Sequence, residues 1–279
     1  MKILIVGGGG REHALAWKMT QSPEVEKIFC APGNAGIAGL AECIAIKAEN
    51  IEALTAFAAE NEIDLTVVGP EAPLVDGIVD AFEKAGLKAF GPSGRAAALE
   101  GSKSYAKWLM AKYNIPTAAG RTFCSYEQAR LYIRDVALPV VVKADGLAAG
   151  KGVSVCDTRE QAEQALKRIM ADAVFGEAGS RVVIEQCLSG EEASFIALTD
   201  GKTVLPLPAS QDHKTIDDND EGPNTGGMGA YSPAPVVDAV MRKKIMDQVM
   251  IPTVNAMAAE GRPYKGVLYA GLIIDGDRV

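Results

Sequence analysis

Short apolar runs alternate with stretches of helical periodicity up to about residue 100. Ile3–Val6, Ile28–Cys30, Leu65–Val68 and Lys88–Phe90 read as strands, and the segments between them predict βαβ units on a parallel sheet. Glycine and proline cluster after each run, at Gly7–Gly10, Pro32-Gly33-Asn34, Gly69-Pro70-Glu71 and Gly91-Pro92-Ser93. In an open parallel sheet such loops gather at the carboxyl ends of the strands, where ligands bind.

A helix is predicted over Ser102–Tyr113, with Pro116 marking its exit. A second pattern begins near Gly120. Ser125-Tyr126-Glu127-Gln128 and Thr158-Arg159-Glu160-Gln161 have the spacing of capping boxes, and strands at Val140–Lys143, Val153–Cys156 and Val182–Glu185 interleave with those helices as a small α+β module. Beyond Gly190 come strands at Ala193–Thr199 and Val204–Leu207, then a polar, glycine-rich stretch over Ser210–Tyr231 that is too long for a simple connector and reads as a functional loop. An amphipathic helix follows around Val236–Ala259. Leu268–Ile274 reads as a strand and Asp275-Gly276-Asp277 as a hairpin turn, leaving only Arg278 and Val279 of the partner strand. The chain is therefore expected to be a fragment, truncated before its fold is complete. No fixed-period repeat is present.

Composition narrows the class. A chain of 279 residues, 48% hydrophobic and 23% charged, predicts a globular protein of two or three units. The formal net charge of −8 excludes a dominant basic surface for nucleic acid. Cys30, Cys43, Cys124, Cys156 and Cys187 are odd in number, scattered and never paired as Cys-x-x-Cys, so neither a disulfide framework nor a zinc site is indicated and a reducing, cytoplasmic setting fits. No apolar run approaches the roughly 20 residues that a membrane span needs, and no signal peptide opens the sequence.

Gly7-Gly8-Gly9-Gly10-Arg11-Glu12-His13 falls between a strand and a helix, where backbone N–H groups and the helix dipole make an anion site and Arg11 adds a charge. Glu12 takes the place of the third small residue of a dinucleotide fingerprint, and a tight turn that merely packs explains the run equally well. In Val140–Val153, a lysine at a strand end (Lys143) and a second in a glycine-rich hairpin (Lys151) can clamp a polyphosphate from two sides, against the plainer alternative of a glycine-rich hairpin. No P-loop is present. Val183–Glu192 offers backbone groups to an adenine edge and a carboxylate to ribose, although a strand followed by solvated glutamates is the commoner case. Ser210–Lys214 and Gly222–Tyr231 combine cations, carboxylates and glycines suited to a zwitterion and an oxyanion, or else form a solvated loop with His213 at its surface. Two histidines and no Gly-x-Ser-x-Gly leave hydrolase triads without support.

Taken in order, these segments resemble the ATP-grasp superfamily and, within it, the phosphoribosylamine-glycine ligase family of purine biosynthesis. The resemblance runs the whole chain, through Val6–Leu15, Val68–Leu74, Phe90–Ser93, Lys143–Val153 and Ser210–Pro233, with Gln211-Asp212-His213-Lys214 and Gly222–Gly229 the most family-specific segments. Gly101-Ser102-Lys103-Ser104-Tyr105 departs from the family's aspartate-lysine-x-phenylalanine form. The resemblance implies an α/β fold. A parallel-sheet, Rossmann-like amino-terminal domain would occupy residues 1–100, an incomplete central ATP-grasp lobe 101–120 and 190–279, and a small lobe 121–189. It implies that Lys143 and Lys151 act on the phosphates of ATP, that Lys103, Glu185, Gln186, Leu188 and Glu192 bind the nucleotide, and that Gly9, Gly10, Arg11, Glu12, Pro70, Glu71, Asp212, Lys214, Asn224, Gly226 and Gly227 bind the acceptor. Mg2+ or Mn2+ is implied too, with ligands expected beyond Val279 and none within the chain. The implied reaction joins glycine to 5-phosphoribosylamine with ATP, through glycyl phosphate. Another ATP-grasp ligase of purine metabolism and a non-catalytic nucleotide-binding fragment are the alternatives, and the chain as it stands is expected to be inactive.

Overall fold

The apolar run near the amino terminus becomes β1 (Lys2–Gly7), in which Leu4, Ile5 and Val6 are each 0% exposed. A strand buried on both faces has no polar side to show, which is why the run is continuous rather than alternating. A computed structural model describes residues 1–148, 151–218 and 221–279, without the side chains at 214, 215, 221, 223, 224 and 226–228. The expectations placed on Lys214, Asn224, Gly226 and Gly227 therefore fall outside the described side chains, and Ala149 and Gly150 of the glycine-rich turn fall outside the described residues.

The first unit comprises Met1–Gly101 with Tyr264–Gly266. After β1 come α1 (Gly10–Met19), β2 (Lys27–Pro32), β3 (Glu42–Cys43), α2 (Ile51–Glu60), β4 (Leu65–Val68), α3 (Glu71–Val75), α4 (Ile78–Lys84), β5 (Ala89–Phe90) and α5 (Gly94–Gly101). The strands pair in parallel in the order β3-β2-β1-β4-β5. Leu4 and Val6 of β1 join Phe29, Leu54, Ile78 and Phe82 on one face, whereas Ile3 and Ile5 join Ile28, Ile37 and Val67 on the other. Each such side chain contributes about 1.5–3 kcal/mol on burial. The predicted strands all form. β3 has two exposed residues, so no apolar run announces it.

The second unit comprises Ser102–Pro263 with Val267–Val279. Its elements are α6 (Lys103–Lys112), β6 (Gly120–Phe123), α7 (Tyr126–Asp135), β7 (Val140–Ala144), β8 (Val153–Cys156), α8 (Arg159–Leu166), β9 (Val182–Gln186), β10 (Glu191–Asp200), β11 (Val204–Pro206), β12 (Gln211–Asp217), β13 (Glu221–Tyr231), α9 (Ala239–Ile245), α10 (Ile251–Ala259) and β14 (Lys265–Ile274). An antiparallel sheet of order β6-β9-β7-β8 carries α7 and α8 on one face, where Ala129, Ile133, Ala162 and Leu166 pack on Val140, Val142, Ala144, Val182 and Ile184. The capping box is complete at Thr158, whose hydroxyl accepts the Gln161 N–H at 3.2 Å while Gln161 Oε1 accepts the Thr158 N–H at 3.1 Å. Ser125 accepts the Gln128 N–H at 3.4 Å. A second sheet has the order β11-β10-β14. Among the described residues no helix is long and apolar enough to cross a membrane.

Two expectations change. The stretch over Ser210–Tyr231 is not a loop: β12 and β13 pair antiparallel, with register shifts between His213, Thr215 and Asp217. Backbone pairing carries this hairpin, so its glycines and polar residues hide it from strand propensity. The helix around Val236–Ala259 is divided into α9, a π-helical turn at Met246–Met250, and α10. Pro252 lacks the N–H that would continue the ladder, and the widened turn lies directly before it.

Candidate functional site

In the first unit the chain departs from β1 toward β2 on one side and places β4 on the other, so the crevice outside the β1 and β4 carboxyl ends is the topological switch point. The loops after these strands are Gly8-Gly9 and Gly69-Pro70, and Arg11 joins them. Its Nη1 donates to Gly69 O at 2.6 Å and its guanidinium holds Glu71 Oε1 at 3.1 Å. Both side chains reach solvent, so the pair adds little stability and serves to place the guanidinium. Glu71 opens α3, where its charge suits the helix dipole, and Pro70 is that helix's N-cap. Gly10 has open space around it.

Glu12 does not face that crevice freely. It is 5% exposed, its Oε2 accepts the Gly9 N–H at 2.6 Å, and its carboxyl group packs against Gly7 and Gly69. The donor at the start of α1 is thereby satisfied from within. Asn34 ties the β2 loop to this one, donating to Gly8 O and accepting the Ile37 N–H, each at 2.9 Å. Sequence reasoning missed Glu100 and Tyr264. Glu100 keeps an exposed edge, yet desolvation of its carboxyl, and then the charge of Glu71, raises its pKa against the pull of Arg11. Burial, then Glu100 and Glu71, pushes up the Tyr264 phenol.

In the second unit, Val140, Val142 and Ala144 point into the helix-covered core, which turns Lys143 to the opposite face. There Lys143 Nζ lies 3.2 Å from Glu185 Oε2 of the adjacent strand. α6 brings a further cation to the same oxygen, Lys107 Nζ at 3.9 Å, which also donates to Thr117 Oγ1 at 2.9 Å and to Ala118 O. The Lys107 and Glu185 side chains are 15% and 9% exposed. Lys107 was not foreseen, although its spacing of four from Lys103 puts both on one face of the predicted helix. Lys103 Nζ donates to Gly146 O at 3.1 Å and to Asp145 O at 3.5 Å. Burial lowers the pKa of Lys103, assisted by Lys143 and opposed by Asp145; burial likewise lowers that of Lys107, assisted by Lys143 and opposed by Glu185. Two ammonium groups, those of Lys107 and Lys143, lie within 4 Å of the one buried Glu185 carboxylate and leave an excess of positive charge, which suits a polyphosphate.

The glycine-rich turn is held at its base. Ala144 N–H donates to Gly152 O at 2.8 Å and Gly146 N–H to Ala178 O at 3.1 Å. A Cβ at Gly146 would meet that of Ala178 at 2.8 Å, so glycine is required for this approach. Lys151 is exposed, with its carbonyl accepting Arg168 Nη2 at 3.0 Å. Along the segment after β9, Gln186 N–H is taken by Ala119 O at 2.8 Å, and Gln186, Leu188 and Glu192 are exposed. Asp212 is half-buried on β12, next to His213, whose ring stacks on Tyr231 at 5.5 Å. The structure thus gathers Lys103, Lys143 and Glu185 from the expected set and leaves Lys151, Gln186, Leu188 and Glu192 exposed at the margins. Among the described residues no group of three or more His, Cys, Asp or Glu could hold a metal ion.

Residues 1–100 match the family described as phosphoribosylglycinamide synthetase, N domain, and residues 101–278 match phosphoribosylglycinamide synthetase, ATP-grasp (A) domain. A phosphoribosylamine--glycine ligase of Vibrio vulnificus (strain YJ016) is 59% identical over 279 residues, 99% of this chain and 65% of that protein. One from Escherichia coli O6:H1 is 57% identical over 277 residues. The chain spans about 65% of the length of these curated relatives. Among solved structures, the phosphoribosylamine--glycine ligase of Thermotoga maritima superposes with a TM-score of 0.84 at 33% identity, covering 99% of this chain and 66% of that one.

Proposed function

The chain belongs to the phosphoribosylglycinamide synthetase family, and from that premise we propose that it carries the nucleotide and acceptor sites of an ATP-dependent ligase joining glycine to 5-phosphoribosylamine. The observation that carries this proposal is the approach of Lys107 and Lys143 to one buried carboxylate oxygen of Glu185, beside a glycine-rich turn that bears Lys151. A glycine carboxylate is a poor electrophile. Transfer of the γ-phosphoryl group of ATP to one of its oxygens gives glycyl phosphate and ADP; the amine of phosphoribosylamine then attacks the carbonyl carbon, expels phosphate, loses a proton and forms the amide. Little covalent chemistry falls to the protein, so positioning and charge stabilisation dominate.

In this scheme Lys107, Lys143 and Lys151 face the phosphates, Glu185 orients the first two and approaches the adenine amino group, and the exposed segment through Gln186, Leu188 and Glu192 receives the rest of the nucleoside. Arg11, Gly9, Gly10, Pro70 and Glu71 form the acceptor half-site, with Glu12 as its internal brace. ATP and a divalent cation belong to the proposal. The described residues do not present a donor set that fits such an ion, so every step assigned here is carried by side chains. The deciding measurement is ADP formation by the protein extended to the full length of its curated relatives, with phosphoribosylamine and ATP in the presence of glycine, bicarbonate or formate. ADP release that depends on glycine, with glycinamide ribonucleotide as the product, supports the proposal; release driven by bicarbonate or formate, or none with any of the three, overturns it.

A further inference from the structure

Asp145 stands two positions beyond Lys143, past the end of β7, and is 5% exposed. Its carboxylate accepts the Ser104 N–H at 2.6 Å and the Ser102 hydroxyl at 3.2 Å, and Arg181 Nη2 lies 3.0 Å from Oδ2. Its main chain is engaged as well: the carbonyl accepts the Lys103 N–H at 3.0 Å, and its N–H donates to Arg181 O at 3.1 Å. One residue thereby fastens the first turn of α6, which bears Lys103 and Lys107, to the end of the strand that bears Lys143. Helix capping alone does not require this. Ser102 already serves as N-cap, accepting the Tyr105 N–H at 3.2 Å.

We propose that Asp145 is a positioning residue that fixes the α6 lysines against Lys143 in the geometry a nucleotide polyphosphate needs. The proposal rests on the nucleotide site described above. Charge-assisted bonds from a buried carboxylate to a backbone N–H and a guanidinium are strong and directional, so they resist the mutual repulsion of the lysines. The side-chain partners of Asp145 are Ser102, Ser104 and Arg181, so it acts through α6 rather than on the nucleotide.

The test compares the wild-type protein, extended to the full length of its curated relatives, with Asp145→Ala, Asp145→Asn and the double variant Asp145→Ala/Ser102→Asp in the same length, reading KM for ATP, KM for phosphoribosylamine and the thermal midpoint. Asp145→Ala leaves the Ser104 N–H without its acceptor, and an N-cap aspartate at 102 can accept from that position, so the double variant restores the bonding of the first turn of α6 without restoring the tie to β7. Asp145→Ala is expected to raise KM for ATP about 10- to 100-fold, the scale of a small misplacement, while KM for phosphoribosylamine holds. Asp145→Asn, which keeps an acceptor for Ser104, falls between. The double variant regains the thermal midpoint and not the ATP affinity. If it regains both, or if Asp145→Ala leaves KM for ATP unchanged, Asp145 only caps the helix and the proposal fails. A wild-type protein that does not use ATP overturns the functional proposal and this one with it, which separates the two failures.

Discussion

Glu12 fills the space that Gly69 leaves open: a methyl group built on Gly69 would lie 1.9 Å from Glu12 Oε1. The backbone at Gly69 is not in the left-handed region, so it is the approach of the Glu12 side chain that demands glycine there. Gly69→Ala is expected to destabilise the protein by about 1–3 kcal/mol, as overpacking does. In a Glu12→Ala background the same substitution should have far less effect. Thermal or denaturant unfolding of the four proteins gives the coupling, and an equal loss in both backgrounds would show that Glu12 is not what excludes the methyl group.

Lys143→Met, Lys107→Met and Lys151→Ala should each lower turnover about 10²- to 10³-fold at saturating ATP, because each removes a charge aimed at phosphate in a partly water-excluded site. Circular dichroism should show the fold retained. Near-normal turnover in any one of them removes that lysine from the phosphate site.

Arg11→Ala is expected to raise KM for phosphoribosylamine about tenfold or more and to leave KM for ATP alone, since one charge-assisted contact is worth roughly 1.5–3 kcal/mol. The guanidinium spans the loops after β1 and β4 and lies in the first unit, whereas the lysine cluster lies in the second. Steady-state kinetics with each substrate varied decides it. A change confined to ATP would assign Arg11 to the nucleotide instead.

Alkaline stability should depend on Cys30. Burial, then the nearby Cys43 and Glu12, pushes its thiol from 9.0 up to about 12, and its S–H donates to Gly7 O at 3.3 Å. Because the pKa is raised on folding, the unfolded chain releases the proton first as pH climbs. The associated stability is complete below pH 9 and is lost as pH rises toward about 12. Unfolding free energies measured from pH 8 upward should decline less steeply in Cys30→Ala than in the wild type; identical slopes would place the alkaline sensitivity elsewhere.

Much of this molecule was legible before any coordinates. Ile3–Val6 is too uniformly apolar to be anything but buried, and Val140, Val142 and Ala144 set a period of two that turns Lys143 away from the core. What escaped was whatever depends on long-range pairing. Asp145 meets Ser104 across 41 residues and Lys107 meets Glu185 only because α6 packs on that face of β9, and neither fact leaves a local periodicity. The β12–β13 hairpin escaped for a different reason: its many glycines and charges leave few of the branched side chains by which strands are recognised.

The alternation along β7 has an implication for how the sequence can drift. Neighbouring codons of one short strand answer to unrelated constraints, the packing of α7 and α8 at 140, 142 and 144 and the charge of the opposite face at 143. A saturation scan across this strand scored separately for abundance and for glycine-dependent ADP formation would diverge with a period of two. Substitutions toward the helices would deplete both scores, whereas those at Lys143 would spare abundance and abolish ADP formation, so that a map of tolerance alone would retrace the pleat.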